Sequence, residues 1–385
     1  MVKKIYLDNA ASSQKKPATV LKAMTDYLSN IGCSPGRGGY DCSLKAGRIV
    51  LETRLAIAEL FNIPSPEQII FTHNITHALN YAIKGLVKTG EHIITTSMEH
   101  NSVIRPLKSL EKEHKIEVSY LKCNRQGLLD PQELEQAIKD NTKIVVLTQA
   151  SNVTGSLMPI ARLASIARQR GLSLILDTAQ TAGLYEIDFT ELAIDVLCFT
   201  GHKSLMGPTG TGGFALTKKT AAQMSPLIEG GTGSISDQEY QPDFLPDKFE
   251  SGTLNTVGLA GLKAGVEFIR KTGLAKIREH ELSLTARFLA GLEKIRKIQV
   301  HGPKDISLQT PTISISVAGF DLGELSYILD QRYGIMTRSG LHCAPLAHKT
   351  IGTFPEGTLR FSIGYDNTVA EIDYVLKSLR EIIPD

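Results

Sequence analysis

Val196-Leu-Cys-Phe-Thr200-Gly-His-Lys203-Ser-Leu-Met-Gly207-Pro-Thr-Gly210 is the stretch that decides the fold class. An apolar run ends in a glycine turn, and a lysine stands just past it. Upstream, Leu172-Ser-Leu-Ile-Leu-Asp177 is a second such run and ends in an aspartate. Runs of this length, bounded by Gly and polar residues, read as interior strands of a parallel sheet. Ligands of such sheets sit outside the carboxyl ends of the strands, where both side chains would emerge. An amine beside a strand-end carboxylate suits pyridoxal phosphate (PLP): lysine forms a Schiff base and the carboxylate keeps the pyridinium nitrogen protonated. A plain ion pair between two strand ends is the alternative use of the same residues.

Outward from this pair, strands and helices alternate. A short strand at Lys4 to Asp8 precedes a helix toward Ser29, with Pro17 in its first turn. Ile31 to Gly39 is a Gly-rich loop. Asp41 is the expected N-cap of a long helix with apolar positions at Leu44, Ile49, Leu51, Leu55, Ile57 and Leu60. Strands are expected at Gln68 to Thr72, Glu91 to Thr95, Glu117 to Leu121 and Lys143 to Leu147. Helices are expected at Ile75 to Leu86, Pro131 to Ile138 and Ile160 to Arg170. The alternation argues for an α/β domain with a mainly parallel sheet. From about Leu254 the texture changes to two long helices, Val257 to Arg270 and Leu274 to Ile295. Two strands, Thr312 to Val317 and Gly357 to Ile363, and a last helix from Val369 to Ile382 follow. The expected division is a large α/β domain over 16–257 and a small α+β domain over 258–385 together with 1–15.

Bulk properties narrow the class of function. The 385 residues carry 42 basic and 40 acidic side chains, a formal charge of +2. That balance offers no electrostatic argument for nucleic acid or an anionic membrane. No apolar stretch is long enough to cross a bilayer, and the amino terminus lacks a signal-peptide core, so a cytoplasmic protein is expected. Cys33, Cys42, Cys123, Cys198 and Cys343 are too few and too scattered for a disulfide framework. Cys198 reads as core packing, and nothing near Cys33 or Cys42 marks either as reactive.

Further chemistry clusters at predicted strand ends. In Asp177-Thr-Ala-Gln180, small residues allow close approach of a flat ring, Gln180 could donate to a ring oxygen, and a pyridinium would lower the Asp177 pKa. Thr200 and His202 could hold phosphate oxygens. Thr76, at a helix start in Thr72-His-Asn-Ile-Thr76-His77, marks a second anion site. His73 and His77 are four apart, but H-E-x-x-H lacks its Glu here, so no metal is expected. His100 follows a strand end and could stack on a planar ring. In Thr337-Arg338-Ser-Gly-Leu-His342-Cys343-Ala-Pro-Leu-Ala-His348, Gly and Pro predict a loop with an accessible thiol. Arg338, His342 and His348 could lower its pKa. A metal held by His342, Cys343 and His348 is a weaker reading, with no fourth partner. Arg360, a lone cation in a strand, could grip a carboxylate bidentately or serve a structural ion pair.

These residues together resemble the cysteine desulfurases, in the class V aminotransferase group of fold-type I PLP enzymes. The resemblance runs from Tyr6-Leu-Asp-Asn-Ala-Ala11 to Arg360-Phe-Ser-Ile-Gly-Tyr-Asp-Asn-Thr368. Between them lie Ser151-Asn152-Val-Thr-Gly155, Asp177-x-x-Gln180, Thr200-Gly-His-Lys203 and Phe249-Glu-Ser-Gly-Thr253-x-Asn-Thr. Arg338-Ser-Gly-x-His-Cys343 is similar to the SufS-like, group II branch. The chain departs from that branch at Ile75-Thr-His77 and at Ala344-Pro-Leu-Ala-His348. The resemblance implies that Lys203 carries PLP and shuttles protons, Asp177 pairs with the ring nitrogen, Gln180 with the phenolic oxygen, and His100 stacks on the ring. It implies phosphate contacts from Thr76, Thr200 and His202, and from Thr253 toward the neighbouring subunit's cofactor, hence a homodimer. Asn152 and Arg360 would hold the substrate carboxylate, with Arg338 nearby. Cys343 would take sulfur from L-cysteine as a persulfide, release alanine and pass the sulfur to a protein acceptor, as in iron–sulfur cluster assembly. The alternatives are a selenocysteine lyase, another class V enzyme, or a non-catalytic binding protein of the same fold.

Overall fold

The computed structural model describes residues 4–36, 38–114 and 116–383. Met1-Val-Lys3 of the amino-terminal reading, Arg37 of the Gly-rich loop, Lys115 and Pro384-Asp385 lie outside them. Strand β1 (Ile5–Tyr6) and helices α1 (Ala18–Asn30) and α2 (Asp41–Phe61) come first. Then follow β2 (Ile69–Thr72), α3 (Ile75–Leu86), β3 (His92–Thr96), α4 (Asn101–His114), β4 (Glu117–Leu121), α5 (Pro131–Ala137), β5 (Thr142–Thr148) and α6 (Ile160–Gln169). Strands β6 (Ser173–Asp177), β7 (Val196–Thr200) and β8 (Gly212–Leu216) lead into α7 (Lys218–Gln223), α8 (Thr256–Thr272) and α9 (Leu274–Leu292). The chain closes with β9 (Ile298–His301), β10 (Thr312–Val317), α10 (Leu322–Tyr333), β11 (Ile335–Met336), β12 (Arg338–Gly340), α11 (Pro345–Ile351), β13 (Thr358–Ser362) and α12 (Val369–Ile382).

Seven strands form the large sheet in the order β2-β8-β7-β6-β5-β3-β4. Strands β4, β3, β5, β6 and β7 are parallel, and β8 runs antiparallel to both β7 and β2. Side-chain alternation explains the unbroken apolar runs. Leu174, Leu176, Leu197 and Phe199 enter one core, while Ile175, Val196 and Cys198 enter the core on the opposite face. A four-stranded antiparallel sheet, β12-β13-β10-β9, is built from the C-terminal third. β1 pairs in parallel with β11, and Ile5 and Leu7 join the core under this smaller sheet.

The structure departs from the local expectations at several points. Pro17 caps α1 rather than occupying its first turn, and Asp41 is the first residue of α2, preceded by extended Tyr40. The apolar positions read along α2 divide between two faces: Ile57 is buried, whereas Leu44, Leu51 and Leu55 are exposed. The segment expected as a loop around Cys343 contains β12 and α11. Pro345 does not break α11 because it sits at the helix start, where its missing N–H costs nothing. Cys33 and Cys42 need a correction, because they form a disulfide with Cα atoms 5.8 Å apart. Their nine-residue separation spans the turn between α1 and α2, which brings the two side chains together.

Candidate active site

The carboxyl ends of the parallel strands supply the floor of one cleft: Thr148 closes β5, Asp177 closes β6 and Thr200 closes β7. The N-terminus of α3 adds Thr76, and the turn after β3 adds His100. The cleft, with the open solvent at its mouth, spans about 780 Å³ and is lined by every residue expected at the site except Thr253. Thr253 is exposed, in a groove it shares with Leu51 of α2.

One end of the cleft is built for an anion. Asn74 caps α3 by accepting from the His77 N–H at 3.1 Å, and Thr76 and Ser102 hydroxyls lie 2.9 Å apart. Thr200 Oγ1 and His202 Nδ1 are buried yet have no hydrogen-bond partner. Such orphans are rare in proteins, and a bound anion would satisfy both. Burial and the neighbouring Lys203 and Lys16 push His202 down to about 4, so its ring is neutral at pH 7. Lys16 Nζ donates to the His202 carbonyl at 2.8 Å, and Ser13 Oγ does so at 3.2 Å, which anchors the turn before Lys203. A phosphate fits this end.

The middle of the cleft pairs an acid with an amine. Asp177 is buried and accepts from the Ala179 N–H at 2.8 Å. Burial raises its pKa, opposed by that N–H and by Lys203. The protein alone therefore does not supply the expected lowering, which a pyridinium cation would have to bring. Desolvation, reinforced by Arg360 and opposed by Asp177, lowers Lys203 to about 8. His100 Nδ1 accepts from the Ser102 N–H at 3.0 Å, so a neutral ring carries its proton on Nε2. Desolvation and Lys203 push it down to about 4. Gln180 Nε2 donates to the Ala10 carbonyl at 3.3 Å. The orphaned anion contacts, the desolvated amine and the buried acid together fit PLP.

At the other end, the residues expected to grip a carboxylate already hold partners. Arg360, only 2 % exposed, donates to Asp8 Oδ1 at 2.6 Å and to the Asn152 carbonyl at 3.0 Å, and its Nε is unpaired. Asn152 Nδ2 donates to the His342 carbonyl at 2.7 Å. A buried guanidinium requires such counter-groups, so an incoming carboxylate would compete with Asp8. Arg338 faces Arg360 in the register of β12 on β13.

The Cys343 thiol is exposed at the cleft. His342 and Cys343 both have positive φ, 48° and 57°. Neither is glycine, so this turn holds strain of about 1–3 kcal/mol per residue. It is kept by the Asn101 N–H, which donates to the Cys343 carbonyl at 2.8 Å, and by Asn152. His342 and His348 do not act as cations near the thiol. Burial lowers them to about 2 and about 4, so the cations that line the cleft with the thiol are Arg338, Arg360 and Lys203. Sequence reasoning missed Asp8, Ser102, Lys16 and Asn101, which act through contacts across the fold. Of these, Asp8 alone lay within a quoted motif.

The sheet, its strand-end cleft and the smaller sheet behind Arg360 define a fold-type I architecture, and the chain belongs to the class-V aminotransferases, whose family model matches residues 5–375. Within that class it is a member of the cysteine desulfurases. A probable cysteine desulfurase of Methanothermobacter thermautotrophicus is 33 % identical over 383 residues, covering 98 % of this chain and 94 % of the relative. A cysteine desulfurase of Yersinia pseudotuberculosis is 32 % identical, covering 98 % and 93 %. The apo structure of the Thermococcus onnurineus cysteine desulfurase matches with a TM-score of 0.94 at 32 % identity, over 99 % of this chain and 94 % of that one.

Proposed function

We propose that this chain is a PLP-dependent cysteine desulfurase that carries sulfur as a persulfide on Cys343. The observation that carries the reading is an exposed thiol held on a strained turn above a cleft that also holds Lys203 and Asp177. Thr200, His202, Thr76 and the α3 dipole would hold the PLP phosphate, Asp177 the ring nitrogen, Gln180 the ring oxygen and His100 the ring face. PLP bound there would supply the electron sink for the pair released when the substrate Cα–H bond breaks.

The chain's own residues do the rest. Lys203, lowered to about 8, has a neutral fraction near pH 7 able to take the Cα proton. Arg360 and Asn152 would orient the carboxylate of L-cysteine, with Asp8 displaced from one guanidinium arm and Arg338 beside them. The Cys343 thiolate attacks the substrate sulfur, so the S–S bond of the persulfide forms as the substrate C–S bond breaks. The C–S electron pair stays with the substrate carbon skeleton, which takes up protons and leaves as alanine, and the exposed persulfide is accessible to a protein acceptor. The decisive assay measures alanine and sulfide released from L-cysteine under a reducing thiol. Cys343→Ala should lower turnover by more than about 100-fold. Sulfide release at the parent rate would sink the persulfide route.

A homodimer with Thr253 reaching the neighbouring cleft is supported by surface chemistry. Leu44, Leu51 and Leu55 form one exposed stripe on α2, Leu21 and Leu28 another on α1, and Leu51 shares a groove with Thr253. Contiguous apolar faces of this kind mark interaction sites. We place the domain division at 257/258, within α8, whose Leu259, Leu262 and Val266 still pack into the large core and so tie the smaller domain to it. No helix among the described residues is long and apolar enough to cross a membrane, and a cytoplasmic location is consistent with that.

A further inference from the structure

Five acidic side chains are buried among the described residues: Glu99, Asp177, Glu250, Glu281 and Glu371. Four accept hydrogen bonds nearby, Glu99 through Oε1 alone. Glu99 accepts from Thr96 Oγ1 and the Thr148 N–H, and Asp177 accepts from the Ala179 N–H. Glu250 accepts from Arg54 and the Phe71 N–H, and Glu371 closes the capping box of α12. Glu281 is 3 % exposed; its backbone carbonyl accepts from Thr285 Oγ1 at 2.8 Å, but its carboxyl makes no hydrogen bond or ion pair among the described residues. It stands on the buried face of α9, at helical spacing with Ile277, Leu284, Thr285 and Phe288. An apolar side chain would be the ordinary occupant of that position. An unpartnered buried carboxyl calls for a specific reason.

The reason lies in the space it borders. A second cavity, separate from the cleft but sharing Ala10, Gln180 and Lys203 with it, has Glu281 in its wall. Leu184, Met206 and Ile363 supply apolar surface, and Asp366 stands exposed beside it. Burial and the Asp366 carboxylate push Glu281 up to about 8, so the carboxyl holds its proton at neutral pH unless a cation settles between the two acids; Lys4, Lys15 and Lys203 line the same cavity and leave that negative end as the place for one. We propose that this cavity binds a small organic ammonium ion, with its N–H groups on Glu281 and Asp366 and its carbon body against Leu184, Met206 and Ile363. An ammonium brings the donors and the charge that Glu281 lacks, and charge-assisted hydrogen bonds to a carboxylate are the strong ones. The apolar walls favour a carbon-bearing cation over a hydrated metal ion. This site does not depend on the cysteine desulfurase reading.

Isothermal titration of the holoenzyme with dimethylammonium chloride tests it. That ion has two N–H donors and cannot form a stable imine with the PLP aldehyde. Saturable binding at one site per chain is expected. Glu281→Gln should weaken it by about tenfold or more, as loss of a charged hydrogen bond does. Asp366→Asn, on the surface and harmless to the core, should weaken it by about threefold. Potassium chloride at equal concentration should not displace the probe. Absence of saturable binding, unchanged affinity in Glu281→Gln or in Asp366→Asn, or equal displacement by potassium overturns the proposal.

Discussion

At the scale of single residues, the legible positions were those whose chemistry is carried by neighbours in sequence. Lys203 follows its strand directly and Asp177 closes its own, so both reached the cleft from reading a strand end. Asp8 was not legible in its role, because its partner Arg360 is 352 residues away. The same holds for Glu99, whose setting comes from the fold: it is buried between the ends of β3 and β5. Desolvation pushes it up to about 8, while an unfolded glutamate titrates near 4.5. The fold keeps a proton that the unfolded chain releases, so stability is fully present below the unfolded pKa. It is lost as pH rises from there toward about 8. The loss per group is about 1.4 kcal/mol per pH unit. Glu99→Gln should therefore fall less steeply than the parent between pH 5 and 7 in urea unfolding. Parallel slopes would mean that Glu99 is ionised inside the fold.

At the scale of elements, periodicity and caps located most helices, and failures trace to residues with two meanings. Thr368 before α12 is a clear start signal, and its hydroxyl accepts from the Glu371 N–H at 3.3 Å while Glu371 accepts from the Thr368 N–H. Thr368→Ala should lower stability by about 1 kcal/mol, seen as a shifted urea midpoint with unchanged slope. Gly212 and Gly213 open β8, although glycine ordinarily weakens a strand. A Cβ on Gly213 would stand 2.4 Å from the Ile70 carbonyl and 2.7 Å from the Phe199 ring, so the pairing of β2 with β8 requires the bare backbone. Pro345 misled in the opposite direction, because proline starts a helix as readily as it ends one.

At the scale of the whole molecule, the exposed leucines of α1 and α2 are the feature that one chain leaves unexplained. On α2 the periodicity marked a helix but ran exposed Leu44, Leu51 and Leu55 together with buried Ile57, and it said nothing of what covers the exposed stripe. If that face is the homodimer interface, Leu44→Glu with Leu51→Glu should halve the mass measured by light scattering at micromolar concentration. An unchanged dimer would move the interface elsewhere. The sequence by itself determined the α/β class, the strand-end lysine and aspartate, the anion-binding helix start and the accessible cysteine, because each depends on residues near one another in the chain. Only the tertiary structure decided the Cys33–Cys42 bridge, the Asp8–Arg360 pair, the neutral state of His342 and His348, and the unpartnered Glu281. Those depend on burial and on partners brought together by packing, and local pattern records neither.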